Sequence, residues 1–337
     1  MNRRSAILIV TGILLTAAAF CADIVFGSVS IRLQDVLSAV FGGQADEYAS
    51  RIIMRFRIPK AVTALLAGAA LGASGLQMQT LFRNPLAGPY VLGISSGATL
   101  GVAIFLLGAP LLGQDSQWIR DIGMTGAAWA GAACVFLMIT AVSRRIKDIM
   151  VILILGMMFG SVAGAVVEIL QYFSAESAVK SFVVWTMGSL GGVTSAQTAI
   201  MAPVIMIGLG MSLLSVKSLN LLLLGENYAR SMGLDLSRSR AAIMVSTTLL
   251  AGTVTAFCGP IGFLGLAVPH IARMILARAD HRTLMPASMI IGSLLMLLCD
   301  MASQLPTSGM NIPINTVTAL VGIPVIITVI VRNRKIF

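Results

Sequence analysis

The sequence predicts an all-α polytopic membrane protein with about ten transmembrane helices. Three observations lead there. Apolar residues make up 57% of the 337 and charged residues only 11%, against about a quarter charged in a soluble chain. Apolar runs close to the roughly twenty residues that a helix needs to cross hydrocarbon recur along the whole chain. The cations between those runs gather on alternate loops, as they do when one side of a membrane is the cytoplasm.

The run at 6–26 follows Arg3 and Arg4 and imitates a secretory leader. It has the length of a full span, and no small-residue cleavage site leads into a soluble domain, so it reads as the first membrane helix. Runs at 61–81, 92–108, 122–142, 149–173, 194–215, 241–257, 263–278, 285–305 and 313–331 bring the number to ten. Ala67 to Gly75 offers a Gly/Ala/Ser face and is expected to form a helix–helix seam, because small residues let backbones approach in lipid. Two stretches are too polar to span. Residues 27–60 end in the basic run Arg51 to Lys60, and residues 216–240 hold a short amphipathic helix pattern over 224–236 with glycine on both sides. No repeat or linker divides the chain, so 1–337 is expected to be one transmembrane domain.

With an even number of spans both termini share a side. That side collects Arg3, Arg4, Arg83, Arg144, Arg145, Lys147, Lys217, Arg230, Arg238, Arg240, Arg278, Arg282, Arg332, Arg334 and Lys335. The other holds Arg32, Arg51, Arg55, Arg57, Lys60, Arg120 and Lys180, a split of 15 to 7. The positive-inside rule then puts both termini, and 216–240, in the cytoplasm, and 27–60 outside. The net charge of +10 reports this asymmetry and not a nucleic-acid partner.

Several chemistries are excluded. Four separated cysteines and two histidines supply no metal-ligand set. A phosphate-cradling loop needs Gly-Lys-Ser/Thr, and none of the five lysines follows a glycine, so the chain does not hydrolyse ATP itself. Only Asp23, Glu168 and Asp300 among the 13 acidic residues fall within the runs, all near predicted outer ends. That argues against an ion-coupled carrier, which keeps ionisable groups at mid-membrane for use. The chain reads as a conduit driven by another subunit, and two readings of 224–236 stand: a docking helix for that subunit, or a cap on a loop.

A set of strings then becomes recognisable in order: Arg57-Ile58-Pro59-Lys60, the Asn84-Pro85-Leu86-Ala87 loop, Gly262-Phe263-Leu264-Gly265-Leu266 leading to Pro269-His270 and Arg273, Asp300, and the Ile312-Pro313 and Gly322-Ile323-Pro324 close. From about residue 50 onward the chain resembles the FecCD family of ABC importer permeases, which serve ferric siderophores, haem and cobalamin. The resemblance implies the type II importer permease fold, with ten helices in each subunit. It also implies a homodimer around a central path, two ABC ATPase subunits that carry ATP and magnesium, and an external binding protein. No cofactor is expected on this chain.

The resemblance also implies roles. The ATPase-coupling segment falls on Gly225, Glu226, Ala229, Arg230, Gly233 and Leu234, where Glu226 and Arg230 can pair with each other or with the partner. Docking of the binding protein falls on Arg57 and Lys60, for which interfacial snorkelling is the alternative. Gln304 stands where the cobalamin permease has a further docking arginine, so that contact is expected to be lost or replaced. The cytoplasmic gate falls on Asn84, Pro85 and Leu86 with Asp148, Ile149 and Met150. The translocation path falls on Met157, Gly160, Gly164, Glu168 and Gln171, and the last two either line the mouth or satisfy each other. His270 is expected to pack against a neighbouring carbonyl. The cargo expected first is a ferric siderophore, with haem or cobalamin as alternatives. A secondary carrier is the alternative of another class.

Overall fold

A computed structural model describes residues 3–27, 32–41, 46–108, 117–143, 148–305 and 311–332. Of the cations counted above, Arg144, Arg145, Lys147, Arg334 and Lys335 lie outside these residues. Among the described residues seven helices are long and apolar enough to cross a membrane, and three shorter apolar helices accompany them. The long ones are α1 (Arg3–Val25), the run through α3 (Glu47–Ile52) and α4 (Ile58–Leu81), α6 (Gln117–Ser143), α7 (Ile149–Tyr172), α9 (Ser195–Leu214), the run through α12 (Leu236–Thr247) and α13 (Thr253–Cys258), and α15 (His281–Ser303). The shorter ones are α5 (Ile94–Leu107), α14 (Leu264–Leu276) and α16 (Ile314–Arg332). Each of the ten coincides with one predicted run.

The polar stretches are helical too. Residues 27–60 contain α2 (Leu33–Phe41) and α3, and the basic run continues into α4 through a π turn at Ile53–Arg57. The span expected to begin at 61 is therefore the later part of a helix that begins at Glu47. Pro59, in the first turn of α4, has no N–H for the carbonyl four residues back, and the wider turn ahead of it carries the helix past that gap. A second π turn, Thr248–Gly252, joins α12 to α13. Elsewhere α8 (Glu176–Thr186) lies between α7 and α9. The single amphipathic helix expected over 224–236 is shortened to α11 (Glu226–Ser231), with α10 (Val216–Leu223) before it and α12 beginning at Leu236. Gly225, at φ 113°, makes the corner between α10 and α11, a conformation open to glycine and costly for other residues.

Helix α4 is the axis of the bundle, with 89% of its apolar window buried against 17% for α1 and 22% for α7. The predicted seam explains how. A Cβ on Gly68 would stand 2.2 Å from the Gly292 carbonyl oxygen on α15, and one on Gly75 would stand 1.8 Å from that of Gly265 on α14. Backbone thus lies on backbone, which in lipid supplies the packing that water-driven burial supplies elsewhere. One polar knot crosses this core. Gln77 accepts from Thr247 Oγ1 (3.1 Å) and donates to Ser246 Oγ (3.2 Å), which in turn lies 2.9 Å from Ser212 Oγ. All four residues are fully buried, and the knot ties α4, α9 and α12 by groups that satisfy one another.

Candidate functional site

At the bundle end where α1 finishes and α4 starts, a cavity of about 580 Å³ is lined by Arg57, Lys60, Asp300, Gln304, Ser189 and neighbours. Sequence reasoning grouped Arg57, Lys60 and Gln304, and the fold brings all three to this one cavity. Their charges are engaged internally. Lys60 Nζ is 2.7 Å from Asp300 Oδ2 and 3.6 Å from Asp23 Oδ1. Arg57 Nη1 donates to the carbonyls of Ile24 (2.9 Å) and Val25 (2.7 Å), which close the end of α1. Gln304 Nε2 donates to Asp300 Oδ2 at 2.9 Å. Asp23 and Asp300 were visible in the sequence as two of the three in-span carboxylates, and a buried carboxylate requires a cation; Lys60, the lysine that opens a span, was the signal that would have joined them.

The opposite end carries the predicted gate and coupling segments. After α4 the chain turns sharply at Arg83 (φ 48°). Asn84 Oδ1 accepts from the Leu86 N–H at 2.9 Å, an Asx turn that shapes the loop. The Pro85 carbonyl accepts from His270 Nε2 at 2.8 Å, so His270 sits against a carbonyl as expected. Asp148 caps α7 by accepting from the Met150 N–H at 2.8 Å. Ile149 is half-buried and Met150 exposed. The two gate segments belong to elements that touch, for a Cβ on Gly156 of α7 would stand 2.5 Å from the Val91 carbonyl oxygen just after the loop.

In the coupling segment Ala229 is fully buried, while Arg230 and Gly233 are exposed and Leu234 is half-buried. Glu226 pairs with Arg240 on α12 at 2.5 Å, not with Arg230 four residues on. Glu226, Arg230 and Leu234 line a second cavity, of about 630 Å³, together with Phe136, Ile152 and Arg240. Sequence reasoning missed Tyr228 and Met232, the exposed apolar pair of this segment at 52% and 60%; their spacing of four in a polar stretch was the signal. It also missed the ties to the gate. Arg83 Nη2 donates to the Leu222 carbonyl at the end of α10 (3.3 Å). Asn220 Oδ1 accepts from the backbone N–H of His281 (2.9 Å) and lies 2.8 Å from its Nδ1, while Nε2 of the same ring is 2.8 Å from Thr80 Oγ1 on α4. Asp280, capping α15, accepts from the Arg282 N–H and from Asn220 Nδ2, and these bonds hold its carboxyl below the usual range.

Along α7, Met157, Gly164 and Glu168 are exposed and Gly160 and Gln171 half-buried. Spacings of seven and four put Met157, Gly164 and Glu168 on one stripe of the helix. That stripe is smooth, with methionine and small residues along most of its length and one carboxylate near its far end.

Among the described residues, an apolar bundle of seven long and three shorter membrane-type helices, with a cavity at each end, defines a polytopic membrane protein. The profile of the FecCD transport family matches residues 14–332, and the chain belongs to that family. It is 36% identical over 315 residues to the vitamin B12 import system permease BtuC of Citrobacter koseri, covering 91% of this chain and 93% of the relative. The permease of the same name from Salmonella arizonae is 34% identical over the same shares of the two chains. A solved transporter assigned to the metal-chelate ABC type, in an inward-facing conformation, superposes with a TM-score of 0.83 at 28% identity, covering 96% of this chain and 98% of that one.

Proposed function

We propose that this chain is the membrane permease of an ATP-driven ABC importer that moves a metal chelate into the cytoplasm. The observation that carries the reading is the family match across nearly the whole chain, supported by the superposition on a metal-chelate type transporter. In this reading two copies pair around a central path, two ABC ATPase subunits bind ATP and magnesium, and an external binding protein delivers cargo. The protein sits in the inner membrane with both termini and 216–240 in the cytoplasm and 27–60 outside, all within one permease domain.

The geometry supports a mechanism in this reading. The ATPase grips α11 through Tyr228, Arg230 and Met232, with Gly225 and Gly233 allowing close approach. Glu226, Ala229 and Leu234 hold the segment to the bundle. Displacement of α10 and α11 then reaches the gate loop at Asn84, Pro85 and Leu86 through Arg83, and reaches α4 through Asn220 and His281. The facing gate segment is Asp148, Ile149 and Met150. Cargo passes along Met157, Gly160, Gly164, Glu168 and Gln171, a surface that binds weakly and so releases what the binding protein selected. Nucleotide drives the change by favouring one of two packings.

Among the sequence-derived cargoes a siderophore stood first; the similarity to vitamin B12 permeases moves a corrinoid ahead of it. The test is reconstitution in vesicles with the ATPase and binding-protein subunits, offering radiolabelled cyanocobalamin and a ferric siderophore separately. Uptake of either that requires internal or external ATP on the ATPase side supports the importer reading. Uptake by the chain alone, abolished by collapsing an ion gradient, would replace it with a secondary carrier. The double variant Glu226→Arg, Gly233→Trp is expected to stop ATP-driven uptake, and unchanged uptake removes the coupling assignment.

A further inference from the structure

The cations assigned above to receive an external partner are already in use. Lys60 is held between two carboxylates from different helices, Asp300 on α15 and Asp23 on α1, and its side chain is only 13% exposed against 6% and 0% for theirs. Arg57, 5% exposed, is bound to the last carbonyls of α1, and Gly27 lies so close that a Cβ there would stand 2.8 Å from Arg57 Nη2. A partner cannot engage either cation without disturbing this arrangement.

The two carboxylates are not equivalent. Asp300 has the short contact to Lys60 and a hydrogen bond from Gln304. Asp23 has the longer contact, just outside hydrogen-bond distance, and among the described residues neither of its oxygens has a partner within that distance although the residue is fully buried. A buried carboxylate in that condition is costly; the Lys60 ammonium is the cation that pairs with it, and the Arg57 guanidinium also acts on its charge. Its helix, α1, is also the least buried of the long helices. Asp23 is therefore the member that an incoming anion displaces.

We propose that Asp23 is a resident counter-ion for Lys60, and that the partner's acidic side chain docks by taking its place in the 580 Å³ cavity beside Asp300. This rests on the docking assignment made above and adds its control. The exchange couples docking to the end of α1, because Arg57 and Asp23 both tie that end to α4. Loss of the Asp23 charge removes the competitor, so it strengthens docking, where removal of a merely structural residue would weaken it.

The experiment uses the permease–ATPase complex in nanodiscs and its external binding protein on a biosensor surface. Asp23→Asn is expected to raise affinity about tenfold, and Asp23→Glu, which keeps the charge, to bind like the parent. Lys60→Met is expected to weaken binding, and in the Asp23→Asn, Lys60→Met double variant the gain is expected to vanish. Asp23→Asn with equal or lower affinity, while Lys60→Met still weakens binding, overturns the exchange and leaves docking intact. If Lys60→Met and Arg57→Met both bind normally, the docking assignment itself falls. The unmodified complex gives an independent reading by carbodiimide labelling of carboxylates followed by mass spectrometry. Asp23 is expected to be protected in the free complex and labelled once the binding protein docks, and unchanged protection overturns the proposal.

Discussion

Substituting Gly68 by alanine tests whether backbone contact along α4 holds the bundle together. The added Cβ would stand 2.2 Å from the Gly292 carbonyl oxygen and 2.6 Å from its carbon. Neither atom can rotate away, so α4 and α15 must part by about 1 Å to restore ordinary contact. The same movement stretches the 2.7 Å hydrogen bond from Ser293 Oγ to the Leu65 carbonyl. Overpacking of this kind costs about 3 kcal/mol, toward the upper end of its range, because the obstacle is main chain. With an unfolding entropy that grows with chain length, that lowers the melting midpoint of a chain of this size by about 4 °C. A thiol-reactive fluorogenic maleimide reads it directly, since Cys258 and Cys299 are buried and free while Cys21 and Cys134 supply an exposed baseline. Gly210→Ala on α9 is the control, because nothing lies within 4 Å of its added Cβ; it should melt with the parent or slightly above it. If Gly68→Ala melts with the parent as well, the seam is not the source of stability that the geometry implies.

Other outcomes follow from single contacts. His281→Ala leaves Asn220 and Thr80 without their ring partner in the interior and should cost about 2–4 kcal/mol, read by the same melting assay. Glu226→Gln removes the ion pair with Arg240, worth about 1 kcal/mol at this partly exposed position, and should speed tryptic cleavage at Arg230 and Arg238 without lowering the global midpoint. Tyr228→Ala with Met232→Ala should leave melting unchanged and weaken co-purification of the ATPase subunit, because both side chains are exposed. Asp280 is held below the ordinary carboxylate value of 3.8 by the Arg282 N–H and the Asn220 amide. Its folded value is depressed, so the stability it contributes is present above 3.8 and is lost as pH falls through the lower folded value. Asp280→Asn should flatten the melting profile in that acidic window and nowhere else.

Much of the architecture was readable from composition and run length. The ten apolar runs match the ten helices because lipid forces every spanning segment to satisfy its own backbone, and that rule acts locally. The Ala67–Gly75 seam was legible for the same reason, since small residues on one helix face serve close approach. The basic run Arg51 to Lys60 was not legible as helix. Its charges mark it as an exit from the bilayer, and only the continuous winding through the π turn shows that it extends α4. Likewise Glu226 offered Arg230 as a partner by spacing, yet Arg240 from the next helix lies closer to its carboxylate. Asn220, His281 and Thr80 carry no local signature at all, coming from three elements far apart in the chain.

The number and order of the spanning helices, the absence of a nucleotide-cradling loop and the membership of a transport family were determined by the sequence alone. Each of these depends on which residues follow one another. Tertiary structure decided which charges are free and which are spent. Asp23, Lys60 and Asp300 lie on three helices, and their meeting depends on how α1 and α15 pack against α4. Electrostatic partnership depends on distances of a few ångströms in space, and those distances exist only once the bundle has closed.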